Sequence, residues 1–129
     1  MTLAETVAAF FAAGHAAART ADPAELHAFR IAAKRLRYAI EILSPGGAGK
    51  RRLHRLRQVQ KELGDMNDAL VAAAFLRSLP ARTKAAQPLP RRLDAEARRH
   101  IEAFRELWRA RFSRRAEKSW LAWARALSA

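Results

Sequence analysis

Between His27 and Lys61 the chain carries ten lysines and arginines and one carboxylate, Glu41, a surplus of nine charges in 35 residues. Guanidinium, ammonium and imidazole groups in this proportion do one kind of chemistry well: they donate hydrogen bonds to an anion and neutralise it. A solvated helix ordinarily interleaves Glu with Lys or Arg three or four positions apart. Here the acids are missing, so the like charges repel until something anionic arrives. Helical spacing sorts the cations into stripes. At about 100° per residue, His27, Arg30, Lys34, Arg37 and Tyr38 share an arc of about 100°. Leu26, Phe29, Ala33, Leu36, Ile40 and Leu43 occupy the adjoining arc. Further on, Lys50, His54, Arg57 and Lys61 lie within about 60°, opposite Leu53, Leu56, Val59 and Leu63. Arg35 and Arg51 complete the candidate set.

These stripes need consecutive helices to hold them. The chain has 129 residues, is dominated by Ala and Leu, and contains five Gly and five Pro. No segment alternates with period two. This predicts an all-α single domain, an antiparallel bundle of four to five helices. A first helix is expected over about 2–19. Asp22 then reads as an N-cap, Pro23 as the first helical residue and Glu25 as the partner of a capping box. The second helix runs over about 23–43 and stops at Ser44-Pro45-Gly46-Gly47. A third is expected over about 48–63, with Gly64 as its C-terminal stop. Asp65 and Asp68 have N-cap and capping-box spacing for a further stretch to about 78. The two stretches are either separate helices or two halves of one bent helix. The motif-bearing hairpin thus covers about 22–78. Residues 80–90, with three prolines, read as a linker. A long C-terminal helix follows over about 90–127, with a break near Ser113. A short turn between the second and third helices makes them an antiparallel hairpin. Both basic stripes should then flank one seam, as a rail about 15 Å long that suits a linear polyanion.

The whole chain has 25 Lys and Arg against 12 Asp and Glu, a formal charge of +13. Half of it is apolar, which excludes a disordered basic tail. The absence of cysteine excludes disulfides, zinc–thiolate sites and thiol nucleophiles. No apolar run approaches the roughly eighteen residues of a membrane span, and the apolar helix faces are needed for the core, so no membrane contact is expected. Glu5 stands where a signal peptide would carry early basic residues, pointing to a cytoplasmic protein.

An enzyme would need paired acids, a nucleophile with its base, or a metal site. Glu41 lies beside Arg37 in helical angle and reads as an orienting partner. His27, His54, Asp65 and Asp68 make a poor metal set, because positive surroundings oppose a divalent cation. Gly46-Gly47-Ala48-Gly49-Lys50 has no preceding strand and is followed by Arg51 rather than Ser or Thr, so it is a turn and no phosphate loop. No catalytic residue, metal or cofactor is expected. Nucleic acid is the competing ligand, since clustered basic residues are its electrostatic footprint. Only Gln58 and Tyr38 stand near the stripes for base readout or stacking. Trp108, Trp120, Trp123, Phe104 and Phe112 serve either core packing or an interface between chains. His15 and His100 lie outside the stripes.

The segment Leu26-His27-Ala28-Phe29-Arg30-Ile31-Ala32-Ala33-Lys34-Arg35-Leu36-Arg37-Tyr38 resembles the signature of the CHAD family, the conserved histidine α-helical domain. Leu56-Arg57-Gln58-Val59-Gln60-Lys61-Glu62-Leu63-Gly64-Asp65-Met66-Asn67-Asp68 resembles the family's second marker, a Gln-rich helix ending in Leu-Gly with Asn-Asp close behind. The resemblance covers about 22–76. It implies a helical bundle that binds inorganic polyphosphate through a basic surface, without catalysis. It implies His27, Arg30, Lys34 and Arg37 as the motif's basic positions, often followed by a Tyr such as Tyr38, and Asp68 as its acidic residue; Glu41 supports the set through its helical angle beside Arg37. Family members commonly contain two such halves around a basic cavity, whereas this chain has one copy of the motif, similar to the second half. Either one half suffices, or two chains pair as a homodimer, the simplest symmetric solution.

Overall fold

The computed structural model describes residues 1–80 and 88–128. Those residues form five helices and no strand: α1 (Leu3–Thr20), α2 (Pro23–Leu43), α3 (Gly47–Ser78), α4 (Pro88–Arg111) and α5 (Arg114–Ser128). Thr2 and Glu5 close a capping box at the start of α1, with Thr2 N donating to Glu5 Oε2 at 2.8 Å and Glu5 N to Thr2 Oγ1 at 3.1 Å. Ala21, in the left-handed region at φ 53°, and Asp22 make the link to α2. Asp22 Oδ1 accepts from Ala24 N at 3.1 Å. The N-cap and Pro23 are as expected, but among the described residues Glu25 closes no capping box.

The expected stop at Gly64 does not occur. Helix α3 runs without interruption for 32 residues, about 48 Å at 1.5 Å per residue. Its buried stripe of Leu53, Leu56, Val59, Leu63, Met66, Ala69 and Ala73 passes through Gly64 in register. An interior glycine costs about 1 kcal/mol, while burying Leu63 and Met66 on either side gains roughly 1.5–3 kcal/mol each. Packing therefore overrides the local stop. Asp65 and Asp68 are interior helical residues, not caps; Asp65 Oδ2 instead accepts from Lys61 Nζ at 2.8 Å.

Of the expected linker, residues 88–90 already belong to α4, and 81–87 lie outside the described residues. The long C-terminal helix is two helices. Phe112 and Ser113 separate them, and Ser113 Oγ accepts from Ala116 N at 3.2 Å to start α5.

Helix α3 packs along α4, α1 along α2, and α5 returns against α1. One aromatic cluster joins them. Phe10, Phe11, Phe29, Phe104 and Phe112 are fully buried and Trp108 and Trp120 nearly so. Trp108 stacks on Phe112 with ring centroids 4.8 Å apart. A Cβ at Gly14 would lie 2.0 Å from the Trp108 ring, so glycine lets α1 approach α4. The Trp108 indole N–H donates to His15 Nδ1 at 3.1 Å, and His15 Nε2 meets Glu117 Oε1 at 2.9 Å. Of the aromatics weighed above as a chain–chain interface, Phe104, Trp108, Phe112 and Trp120 belong to the core and Trp123 packs half-buried against it. No described helix is long and apolar enough to cross a membrane.

Candidate functional site

The basic segments are set by the turn between α2 and α3. A Cβ at Gly49 would stand 1.7 Å from the Ser44 carbonyl oxygen, so only glycine permits α3 to start directly against the end of α2. The two helices then run antiparallel. Glu41 faces Arg57, Arg37 faces Gln60, and the His27 end of α2 lies near Asn67.

Along this seam the α2 stripe lies as expected. His27, Lys34 and Arg35 are exposed, and Arg30 and Arg37 half-buried. Arg30 and Lys34 border a notch against Gln60 and Leu63. His27 and Arg30 border a second recess with Asn67 and Leu70. Glu41 Oε1 lies 3.6 Å from Arg37 Nε and 3.7 Å from Arg57 Nη2, so one carboxylate draws the two helices' guanidinium groups together. Arg37 Nη1 donates to Gln60 Oε1 at 3.4 Å, while its buried Nε has no hydrogen-bond partner among the described residues. The guanidinium lies 4.9 Å from the ring centre of the exposed Tyr38. His27, Arg30, Lys34 and Arg35 have no ion pair among the described residues.

The α3 stripe does not all join that seam. Arg57 does. Lys61 is held by Asp65, and the hydrogen bond raises the Lys61 pKa and lowers that of Asp65. Lys50, Arg51 and His54 turn to the opposite flank of α3, where they line a concavity of 680 Å³ with Gly47, Arg55, Gln58 and Arg111. Asp68 borders neither. It lies with Asp65, Glu96 and His100 in a depression between α3 and α4. There His100 Nδ1 meets Glu62 Oε2 at 2.8 Å. Among the described residues no three acidic or imidazole groups are placed to hold a metal ion.

Periodicity locates α3's cations on its outward face but not the neighbours on either side. Arg55 and Arg111 were therefore missed: Arg55 falls off the stripe, and Arg111 arrives from the far end of α4. Arg52 shows the reverse. It is basic and in the same run, yet its guanidinium lies 4.4 Å from the Trp123 ring centre and 5.4 Å from that of Trp120. Burial, and then the neighbouring Arg51, lower its pKa. It fastens α3 to α5 and presents no free fork to a ligand.

The family model described as CHAD domain matches residues 1–77, which is α1, α2 and α3 to within one residue of its end. No curated protein and no solved structure matches the chain. The matched span exceeds half the chain and contains the whole α2–α3 seam, and the chain belongs to the CHAD domain family.

Proposed function

We propose that the α2–α3 seam binds inorganic polyphosphate, without catalysing its turnover, in a scaffold, targeting or sequestration role. The CHAD domain is associated with polyphosphate binding. The observation that carries the proposal is the row His27, Arg30 and Lys34, three basic groups with no ion pair among the described residues, continued by Arg37 beside a seam where Glu41 is shared by two arginines. Phosphate oxygens would take the place left open, with bidentate contacts from the arginines and a driving force supplied largely by counterion release. From His27 to Arg37 the row extends about 15 Å at 1.5 Å per residue, so it follows a chain of phosphates and not one. Nothing in this reading requires a nucleophile or base. Tyr38 favours the competing reading, because an exposed ring beside Arg37 is where a nucleic-acid base would stack.

Competition separates the two. Long-chain polyphosphate should displace duplex DNA at physiological salt, and Arg30→Glu with Lys34→Glu should weaken its binding at least about 100-fold. Equal displacement by any polyanion of similar charge, or full binding by the double variant, would remove the specific reading. Incubation with polyphosphate or nucleoside triphosphate and Mg²⁺ should release no phosphate. Pairing of chains belongs to the same reading. Two such seams repel one another until an anion lies between them, so light scattering should show dimers only with polyphosphate present. A monomer that binds with full affinity would refute pairing.

A further inference from the structure

The concavity on the other flank of α3 differs from the seam in shape and in what closes it. Lys50, Arg51, His54 and Arg55 project from two successive turns, and Arg111 faces them from the end of α4. The basic groups therefore converge from two helices around one space instead of following a single helix. That space, 680 Å³, lies within the 300–1,000 Å³ typical of small-ligand pockets, whereas the notch at Arg30 and Lys34 holds 40 Å³. Among the described residues no carboxylate borders it and none of the five forms an ion pair. Gln58 on its wall makes no side-chain hydrogen bond among those residues, and its Oε1 is buried without a partner. No described residue fixes that carboxamide, so its NH₂ can turn to a ligand oxygen.

We propose that this groove is a second binding site, separate from the seam, for a compact phosphate cluster: the terminal units of an oligophosphate. The phosphate chemistry of the ligand rests on the proposed function above, while the site stands on the groove's own geometry. Charge density selects the terminus. An internal phosphate of the chain carries one negative charge, but a terminal one behaves like a phosphomonoester, with a second ionisation near pH 6 and a charge of about −1.5 to −2 at pH 7. Convergent arginines and a lysine match that local density, and a linear row does not. The start of α3, without a side-chain cap or an acid in its first turn, adds partial positive charge but does not define the groove.

Tripolyphosphate, which is nearly all terminus, is the probe. Titration calorimetry on the full chain should show binding that weakens at least about tenfold, equivalent to about 1.4 kcal/mol, in the Arg55→Glu, Arg111→Glu variant. Arg98→Glu with Arg99→Glu makes the same charge change at exposed positions of α4 and should alter the affinity less than about twofold. Equal losses in both variants, or no binding of tripolyphosphate, would overturn the site. Arg111 is exposed, so Arg111→Glu alone carries the test if circular dichroism shows the double variant unfolded. Long chains distinguish the two sources of a terminus. If chain ends are the ligand, blocking them as phosphoramidates should cost several-fold in affinity and the free ends should show a shifted terminal ³¹P resonance. If free short oligophosphates are the ligand, blocked and unblocked chains should bind alike while tripolyphosphate still depends on Arg55 and Arg111. Failure of the seam would be seen separately, as long chains indifferent to Arg30 and Lys34.

Discussion

Along α4, Arg105 reaches Glu102 at 3.1 Å and the Ala18 carbonyl at 2.7 Å, and Arg109 reaches Glu106 at 3.5 Å. Along the first half of α3, Lys50, Arg51, His54 and Arg55 reach no carboxylate among the described residues. Both stretches are rich in arginine. Exposed ion pairs of the α4 kind contribute at most about 1 kcal/mol each, so their main effect is to occupy the guanidinium groups. Where the acids are missing, the field stays open to solvent and to any incoming anion. The number of basic residues thus says little about function, and the presence or absence of an internal partner says much.

Several measurements would break or sharpen this contrast. The largest effect is expected from charge reversal on the open side: Arg30→Glu with Lys34→Glu should weaken long-chain polyphosphate at least about 100-fold, near 2.7 kcal/mol. The same reversal at the paired Arg109 and Arg114 should cost only a few-fold, and fluorescence anisotropy with labelled chains reads both. Similar losses in the two variants would mean that only the global charge of +13 matters. Next comes Arg105→Ala on the occupied side. It removes a charged hydrogen bond to the last turn of α1 and should lower unfolding stability by roughly 1.5–3 kcal/mol, seen in urea denaturation, with polyphosphate affinity nearly unchanged. Glu41→Gln should do the opposite, because it frees Arg37 and Arg57 from the carboxylate they share and should tighten binding by about two- to five-fold. A weaker complex would show that Glu41 orients the arginines more than it competes for them.

The smallest effect concerns pH. Lys61 holds the Asp65 carboxyl below its usual range. A depressed folded-state pKa gives stability that is present above the ordinary carboxylate range and is lost as pH falls through the folded value. The urea midpoints of wild type and Asp65→Asn should therefore differ slightly at about pH 7 and converge by about pH 2.5. A gap that persists in acid would assign the effect to helix propensity instead of the ion pair.

Helix α2 was legible almost to the residue, because its signals are local: Asp22 at the cap, Pro23 at the first turn, an apolar arc and a closing Ser-Pro-Gly-Gly. The five-helix all-α fold followed from similar signals. At Gly64 the local signal lost, since a buried stripe that stays in register on both sides outweighs one glycine and two well-spaced aspartates. The site divided in the same manner. Helical angle placed Arg30, Lys34 and Arg37 on one face, and the seam lies there. It could not say that α4 would cover the other side of α3 and bring Arg111 beside His54. Such azimuths depend on long-range packing, which one helix's periodicity does not contain. Asp68 was displaced for that reason too, ending beside Glu96 and His100.

The unbroken length of α3 has a mechanical meaning. Seam and groove are cut into opposite sides of one stiff rod whose buried stripe is clamped by the aromatic core, so neither can close around its ligand by bending. The protein acts as a fixed gauge. A flexible phosphate chain must surrender its own conformational freedom to fit, while the receptor orders only its exposed side chains and not its backbone. Affinity should then depend on how easily the anion adopts the spacing of the gauge, and recognition becomes a property of the ligand's stiffness as well as its charge.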